Sequence, residues 1–77
     1  MRLEEKYSSL NNRQRDIILL IIKGMRNREI ARRLGISEGT VKWYVSQLLL
    51  IFEVKNRTEL IGKILPILPA PAENGNS

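Results

Sequence analysis

The stretch NREIARRLGISEGTVKWYVSQ, positions 27 to 47, decides the fold. It contains two amphipathic segments on either side of Gly35, Ile36 and Ser37. Glycine supplies the backbone freedom that a tight turn needs, and serine is a good N-cap for the helix that follows. Ala31 is small at the place where two helices joined by such a turn approach each other closely. The stretch therefore predicts two helices connected by a short turn.

The apolar positions of this stretch match the inward positions of a helix-turn-helix motif. These positions are Ile30, Leu34, Ile36, Val41 and Tyr44. In that motif the second helix lies in the major groove of duplex DNA, and its N-terminal half meets the base edges. The second helix continues its buried stripe through Val45, Leu48 and Phe52. Its outward face then includes Lys42, Trp43, Ser46 and Gln47.

Two further helices are predicted outside this stretch. Asn11 and Gln14 form a capping box before an apolar run, and Gly24 suits the end of that helix. Asn56 and Glu59 form a second box, and the helix that follows ends at Pro66. The predicted fold is an all-α domain of four helices over residues 10–65. Residues 1–9 are expected to be a flexible arm and residues 66–77 a disordered tail.

The charge of the chain points to an anionic partner. The 77 residues carry a formal net charge of +5. The predicted domain holds 11 Lys and Arg against 5 Asp and Glu, so the positive charge lies on its folded part. An excess of this size is typical of domains that bind nucleic acid or a membrane surface. The first helix of the motif crosses the DNA backbone, and the cations around it are candidate phosphate contacts. These cations are Arg26, Arg28, Arg32 and Arg33.

The composition argues against an enzyme and against a membrane protein. Histidine and cysteine are both absent, which removes the usual imidazole base and the commonest zinc ligands. We expect no metal and no cofactor. The apolar run from position 17 to 22 is far shorter than the ~20 residues of a membrane span. Charged residues near Met1 leave no room for a signal peptide, so a cytoplasmic location is expected.

Four segments resemble the LuxR-type helix-turn-helix family of bacterial transcription regulators. They are LNNRQR at 10–15, NREIA at 27–31, SEGTVK at 37–42 and VKNRT at 54–58. The resemblance implies a protein that binds duplex DNA as a homodimer through its fourth helix, and that lies on the nucleoid when bound. It implies base contacts from Lys42, Trp43 and Ser46, with Gln47 beside them. It implies phosphate contacts from Thr40 and from nearby polar and basic residues. Those residues are Arg26, Asn27, Arg28, Arg32, Arg33, Lys55 and Arg57.

Several of these residues have an alternative role. Lys42 can donate to guanine, neutralise a phosphate or stay solvated. Trp43 can contact a thymine methyl or a sugar, or it can lie partly buried over the edge of the domain. Arg57 can touch a phosphate or pair with Glu29. The family implies a dimer seam at Leu60, Ile61 and Ile64, but Leu60 and Ile64 can equally be ordinary core.

The chain also departs from the family pattern. Ile51 stands where the family commonly carries a lysine, and Glu53 stands where a small residue is usual. Together with Leu49 and Leu50, Ile51 makes the end of the third predicted helix unusually apolar. An alternative function follows from this segment. The same fold could be a protein-interaction module that binds or antagonises another transcription regulator through residues 49–51 and the fourth helix.

Overall fold

The computed structural model describes residues 1–68. It contains five α-helices and, within that range, no strand. Their bounds are α1 Leu3–Ser8, α2 Asn12–Ile22, α3 Asn27–Leu34, α4 Glu38–Ile51 and α5 Arg57–Ile64, followed by a 3-10 turn at Leu65–Ile67. Helices α2 to α5 are the four predicted from the sequence, so the all-α prediction is confirmed. No helix among the described residues is long and apolar enough to cross a membrane.

Helix α4 lies at the centre of the domain. It packs against α2, α3 and α5, and α2 also contacts α3 and α5. The predicted stripe on α4 is inward, since Val41, Leu48 and Phe52 are completely buried and Val45 is half-buried against the core. The remaining core side chains come from every neighbouring segment. They are Leu10, Ile17, Ile18, Leu20, Ile21, Ile30, Ala31, Leu60 and Ile64. This core holds the outer face of α4 in a fixed orientation.

The turn between α3 and α4 has the geometry that the sequence predicts. Gly35 adopts a left-handed conformation with φ 69°, which costs little without a Cβ atom. The amide of Ile36 donates to the carbonyl of Ala31 at 3.0 Å, and this bond ends α3. The side chain of Ser37 then accepts from the amide of Thr40 at 3.0 Å and caps α4. The direction in which α4 leaves the turn is therefore set by local bonds.

The predicted capping boxes are also present, with one difference. Asn11 and Gln14 exchange two hydrogen bonds of 2.8 Å, each from a backbone amide to the other side chain. Asn56 accepts from the amide of Glu59 at 2.9 Å. The carboxylate of Glu59, however, accepts from the amide of Lys55 and not from that of Asn56. The box at α5 thus reaches one residue further back than predicted.

The first nine residues differ from the flexible arm that the sequence predicts. They contain α1, because Leu3 and Tyr7 lie one helical turn apart and pack partly against the core. Lys6 on this helix also forms a salt bridge of 3.1 Å with Glu53 at the end of α4. At the other end, the first two residues of the predicted disordered tail, Pro66 and Ile67, belong to the short turn at Leu65–Ile67. Most of that tail, residues 69–77, lies outside the described residues.

Glu53 has a backbone conformation that favours glycine. Its φ is 57°. Glu53 lies just after the end of α4, and the amide of the next residue, Val54, donates a hydrogen bond to the carbonyl of Leu49. A side chain in this left-handed region crowds its own backbone. Its carboxylate gains from the salt bridge with Lys6, and the hydrogen bond and positive charge of Lys6 lower the pKa of Glu53. The contribution of this pair is therefore lost as the pH falls below the ordinary range of a glutamate pKa.

Replacement of Glu53 by glycine is expected to stabilise the domain. The relief of the left-handed strain should outweigh the loss of an exposed ion pair, because such pairs contribute little. We expect the midpoint of thermal unfolding at neutral pH to rise by a few degrees. The matched control is Lys6→Gln, which removes the pair and keeps the strain. A midpoint for Glu53→Gly that does not exceed that of the unaltered chain would contradict the prediction, and a midpoint no higher than that of Lys6→Gln would mean that no backbone strain is relieved.

Candidate nucleic-acid interface

The outward face of α4 carries the side chains that the sequence predicted there. Lys42, Trp43 and Ser46 are exposed, and Gln47 is half-buried beside them. Residues three and four apart on a helix are neighbours, so these four side chains form one continuous patch. Lys42 has no salt-bridge partner within residues 1–68. The patch therefore offers one cation, one aromatic ring, one hydroxyl and one amide to a partner.

Trp43 is the largest exposed group of this patch. Its side chain keeps 57% of its surface open to solvent. The ring makes an edge-to-face contact with Tyr44, with 5.1 Å between the ring centroids and 81° between their planes. Tyr44 is half-buried and packs against the core. Of the two alternatives for Trp43, the structure thus favours a ring that projects outward over one that covers the edge of the domain.

The predicted phosphate contacts lie mostly on α3 and in the loops at its start and before α5, and most of them are free of salt bridges. Five of the eight are exposed cations: Arg26, Arg28, Arg32, Arg33 and Lys55. None of them takes part in a salt bridge within the described part of the chain. Uncompensated cations on a surface raise the local concentration of anions. Thr40 is half-buried, and its hydroxyl lies 2.8 Å from that of Ser37.

Arg57 and Asn27 form a structural tie. The guanidinium of Arg57 donates to Asn27 Oδ1 and, at 2.6 Å, to the backbone carbonyl of Met25. This joins the start of α5 to the loop before α3. Partial burial lowers the pKa of Arg57. The guanidinium nevertheless stays protonated, because arginine titrates far above neutral pH. The alternative prediction, a pairing of Arg57 with Glu29, is wrong. Residues 1–68 contain no salt bridge between these two side chains, and the Glu29 carboxylate accepts instead from the backbone amide of Arg26.

The predicted dimer seam on α5 needs a correction. Leu60 and Ile64 have 0% exposure, so they are core residues and present no surface to a second chain. The family analogy placed them at a seam because they are apolar and one turn apart, which is equally the pattern of a buried stripe. Ile61 is half-buried and remains accessible. Three further residues, which the sequence did not single out, are exposed on the same side as Ile61: Thr58, Gly62 and Leu65.

The apolar segment at the end of α4 divides into core and surface. Leu49 and Ile51 are half-buried and pack against the core, whereas Leu50 is 73% exposed. Three successive residues on a helix span about 200°, so at least one was expected to face solvent. Of this segment, Leu50 offers most of the surface on which a partner could dock.

No group of three or more acidic residues that could hold a metal occurs within the described range.

Several known proteins are similar to this chain over most of its length. The two-component response regulator PprB of Pseudomonas aeruginosa is 41% identical over 70 residues, which cover 91% of this chain and 24% of that protein. The nitrate/nitrite response regulator NarL of Escherichia coli is 45% identical over 56 residues, which cover 73% and 26% respectively. The transcriptional regulatory protein DesR of Bacillus subtilis is 40% identical over 64 residues, which cover 79% and 32%.

A solved structure also matches the fold. The response regulator StyR superimposes with a TM-score of 0.76 and 33% identity, over 83% of this chain and 32% of that one. The chain thus spans about a quarter to a third of the length of these relatives. Residues 8–64 match the luxR family of bacterial regulatory proteins, a family of transcription regulators and not of enzymes. With most of its length in that match, the chain belongs to the luxR family and carries its DNA-binding helix-turn-helix domain.

Proposed function

We propose that this chain binds a short, two-fold symmetric duplex DNA site as a homodimer, with α4 in the major groove, and regulates transcription from the bacterial nucleoid. The observation that carries the proposal is the placement of Lys42, Trp43 and Ser46 together on the exposed face of the second helix of the motif. Exposed cations without a salt bridge among residues 1–68 lie on α3, the helix that packs against α4. This combination matches a base-reading surface between phosphate contacts.

The two groups of residues have different tasks in this proposal. Lys42 donates to the O6 and N7 acceptors of a guanine, and Ser46 and Gln47 hydrogen-bond to neighbouring base edges. The exposed arginines of α3 and Lys55 neutralise phosphates, together with Thr40. Phosphate contacts supply affinity and orientation without sequence information. Asn27 and Arg57 contribute mainly through their tie to each other, with any remaining donors directed at the backbone.

The dimer forms through the exposed side of α5 in this proposal. Thr58, Ile61, Gly62 and Leu65 follow the spacing of one helical stripe, and Leu65 is among the exposed large apolar side chains of the chain. A Cβ atom added to Gly62 would meet no atom within 4 Å. The surface is therefore open at this point, and a second helix can approach its backbone closely.

Replacement of Gly62 by glutamine is expected to prevent this dimer. The new side chain would stand between the two copies of α5, yet it should not unfold the monomer because glutamine favours a helix more than glycine does. Sedimentation equilibrium should show dimers for the unaltered chain and monomers for the variant. Ser8→Gln, on the exposed side of α1, is the matched control and should stay dimeric. A variant at position 62 with unchanged association would contradict a seam on this face.

A second candidate function rests on Leu50. Leu50 is exposed at the end of α4, where the family commonly has a nearby lysine, and an apolar side chain can contact a protein but cannot hold a phosphate. In this alternative the chain pairs with a LuxR-type regulator and blocks it. Mixing the two proteins and looking for heterodimers tests the alternative. The unpaired cations around α3 and α4 favour the DNA proposal over it.

Competition between duplexes tests sequence-specific binding. A duplex selected from a randomised pool is labelled, and an unlabelled random duplex competes for the protein. Specific sites are typically bound at least 10³-fold more tightly than random DNA, and we expect a ratio of this order. Equal competition by the two duplexes would overturn the proposal of a sequence-specific regulator.

A further inference from the structure

We infer that Trp43 recognises the C5-methyl group of a thymine in the major groove, next to the base that Lys42 contacts. The inference rests on the proposed function and names the chemistry of its target. On the sequence alone, Trp43 could equally have covered the edge of the domain. Its exposed ring on the outward face of α4 argues against that role and leaves an apolar surface that a partner can cover.

The composition of α4 leaves few side chains other than Trp43 that could select a base. Between positions 39 and 52 the only charged side chain is Lys42. A helix with a single cation has few ways to select bases by charged hydrogen bonds, and Ser46 and Gln47 pair with several base edges. The indole of Trp43, which is 57% exposed to solvent, is the most distinctive remaining group on this face of α4. Specificity beyond the Lys42 contact therefore depends strongly on what this ring accepts.

The ring of Trp43 also has a contact within the protein that favours one orientation. Its edge-to-face contact with Tyr44, at 5.1 Å between centroids, restricts its rotation. Tyr44 is itself anchored against the core. A side chain that is ordered in advance loses less conformational entropy on binding. This arrangement is suited to a specific contact.

The major groove offers one apolar group that distinguishes the standard bases. Thymine presents a methyl at C5, whereas adenine, guanine and cytosine present only polar atoms or a bare ring carbon at that edge. An indole that packs on this methyl selects thymine without a hydrogen bond. The contact ignores the substituent at C4 of the pyrimidine, so 5-methylcytosine should be preferred over cytosine at the same position. A contact with a sugar would show neither preference.

The test removes the methyl group and nothing else. In one series of duplexes, each thymine of the selected duplex is replaced in turn by uracil. In a second series, the same thymine is replaced by cytosine or by 5-methylcytosine, and the affinities for these two duplexes are compared. Loss of one buried methyl is expected to weaken binding about fourfold per half-site, and about 16-fold when both half-sites are changed. The same measurements are made with Trp43→Ala, which should be insensitive to the replacement at that position. Leu50→Ala, another exposed apolar residue on α4, should keep the full sensitivity.

Tryptophan fluorescence gives a second readout, because Trp43 is the only tryptophan of the chain. Binding to the selected duplex should protect it from quenching by acrylamide. Specific DNA binding without a uracil effect at any thymine, or an equal uracil effect in Trp43→Ala, would overturn the inference and leave the proposed function intact. Failure to bind any selected duplex more tightly than random DNA would overturn both. The two failures are therefore distinguishable.

Discussion

Replacement of Lys42 by alanine should weaken binding to the selected duplex by about 1–3 kcal/mol, or roughly 5- to 150-fold. Lys42 is exposed, and no acidic residue within the described range pairs with it. Its ammonium group is thus free to donate to a guanine. The folded state should be unaffected, since the side chain is exposed and has no salt bridge within residues 1–68. Fluorescence anisotropy with the selected and the random duplex measures the effect on each.

The comparison of the two duplexes decides the role of Lys42. A base contact affects the selected duplex much more than the random one, whereas a phosphate contact weakens both equally. Lys23→Ala, an exposed lysine at the end of α2, is the matched control and should leave specificity unchanged. Equal losses on both duplexes for Lys42→Ala would assign this residue to the backbone and contradict its place in the proposal.

Replacement of Arg57 by methionine should destabilise the domain by about 2 kcal/mol, because hydrogen bonds from a charged group are worth more than neutral ones. The change removes both bonds of the tie, to Asn27 and to the carbonyl of Met25. It also leaves a half-buried carbonyl without its donor. For a domain of this size the midpoint of thermal unfolding should fall by roughly 10 °C. Thermal unfolding followed by circular dichroism measures this change.

The matched variant for this prediction is Arg57→Lys. It retains the positive charge but cannot reproduce the fork that reaches two acceptors at once. If the tie is structural, both variants lose stability. If Arg57 acts only through a phosphate, Arg57→Lys should unfold at the same temperature as the unaltered chain and Arg57→Met should lose only DNA affinity. That result would contradict the structural role.

The elements that could be predicted correctly from the sequence are formed by hydrogen bonds between residues close together in the chain. Gly35 and Ser37 set the turn through bonds to residues at most five positions away. The reciprocal cap of Asn11 and Gln14 is equally local. Local signals of this kind are present in any single sequence. The outward patch on α4 could be predicted for the same reason, since it follows from helical periodicity once the buried stripe is known.

The features that were missed depend on contacts between distant positions. Arg57 bonds to Asn27, which lies 30 residues away, whereas the sequence offered only a phosphate or Glu29 as its partner. Helix α1 is stabilised by packing and by a bond from Lys6 to Glu53, 47 residues away, so its short polar sequence gave little local signal. The seam on α5 was misplaced because periodicity identifies an apolar stripe but not what covers it. Only the burial of Leu60 and Ile64 separates these two cases.

Salt titration of binding to random duplex DNA tests most directly whether the free cations of α3 and α4 form a DNA surface. Each neutralised phosphate contributes about −0.9 to the slope of log affinity against log salt concentration. We predict binding at about 50 mM salt that weakens steeply, with a slope of several units, and a shallower slope for the double variant Arg32→Gln, Arg33→Gln. No binding at about 50 mM salt, even at high protein concentration, would contradict the central claim that this domain binds DNA.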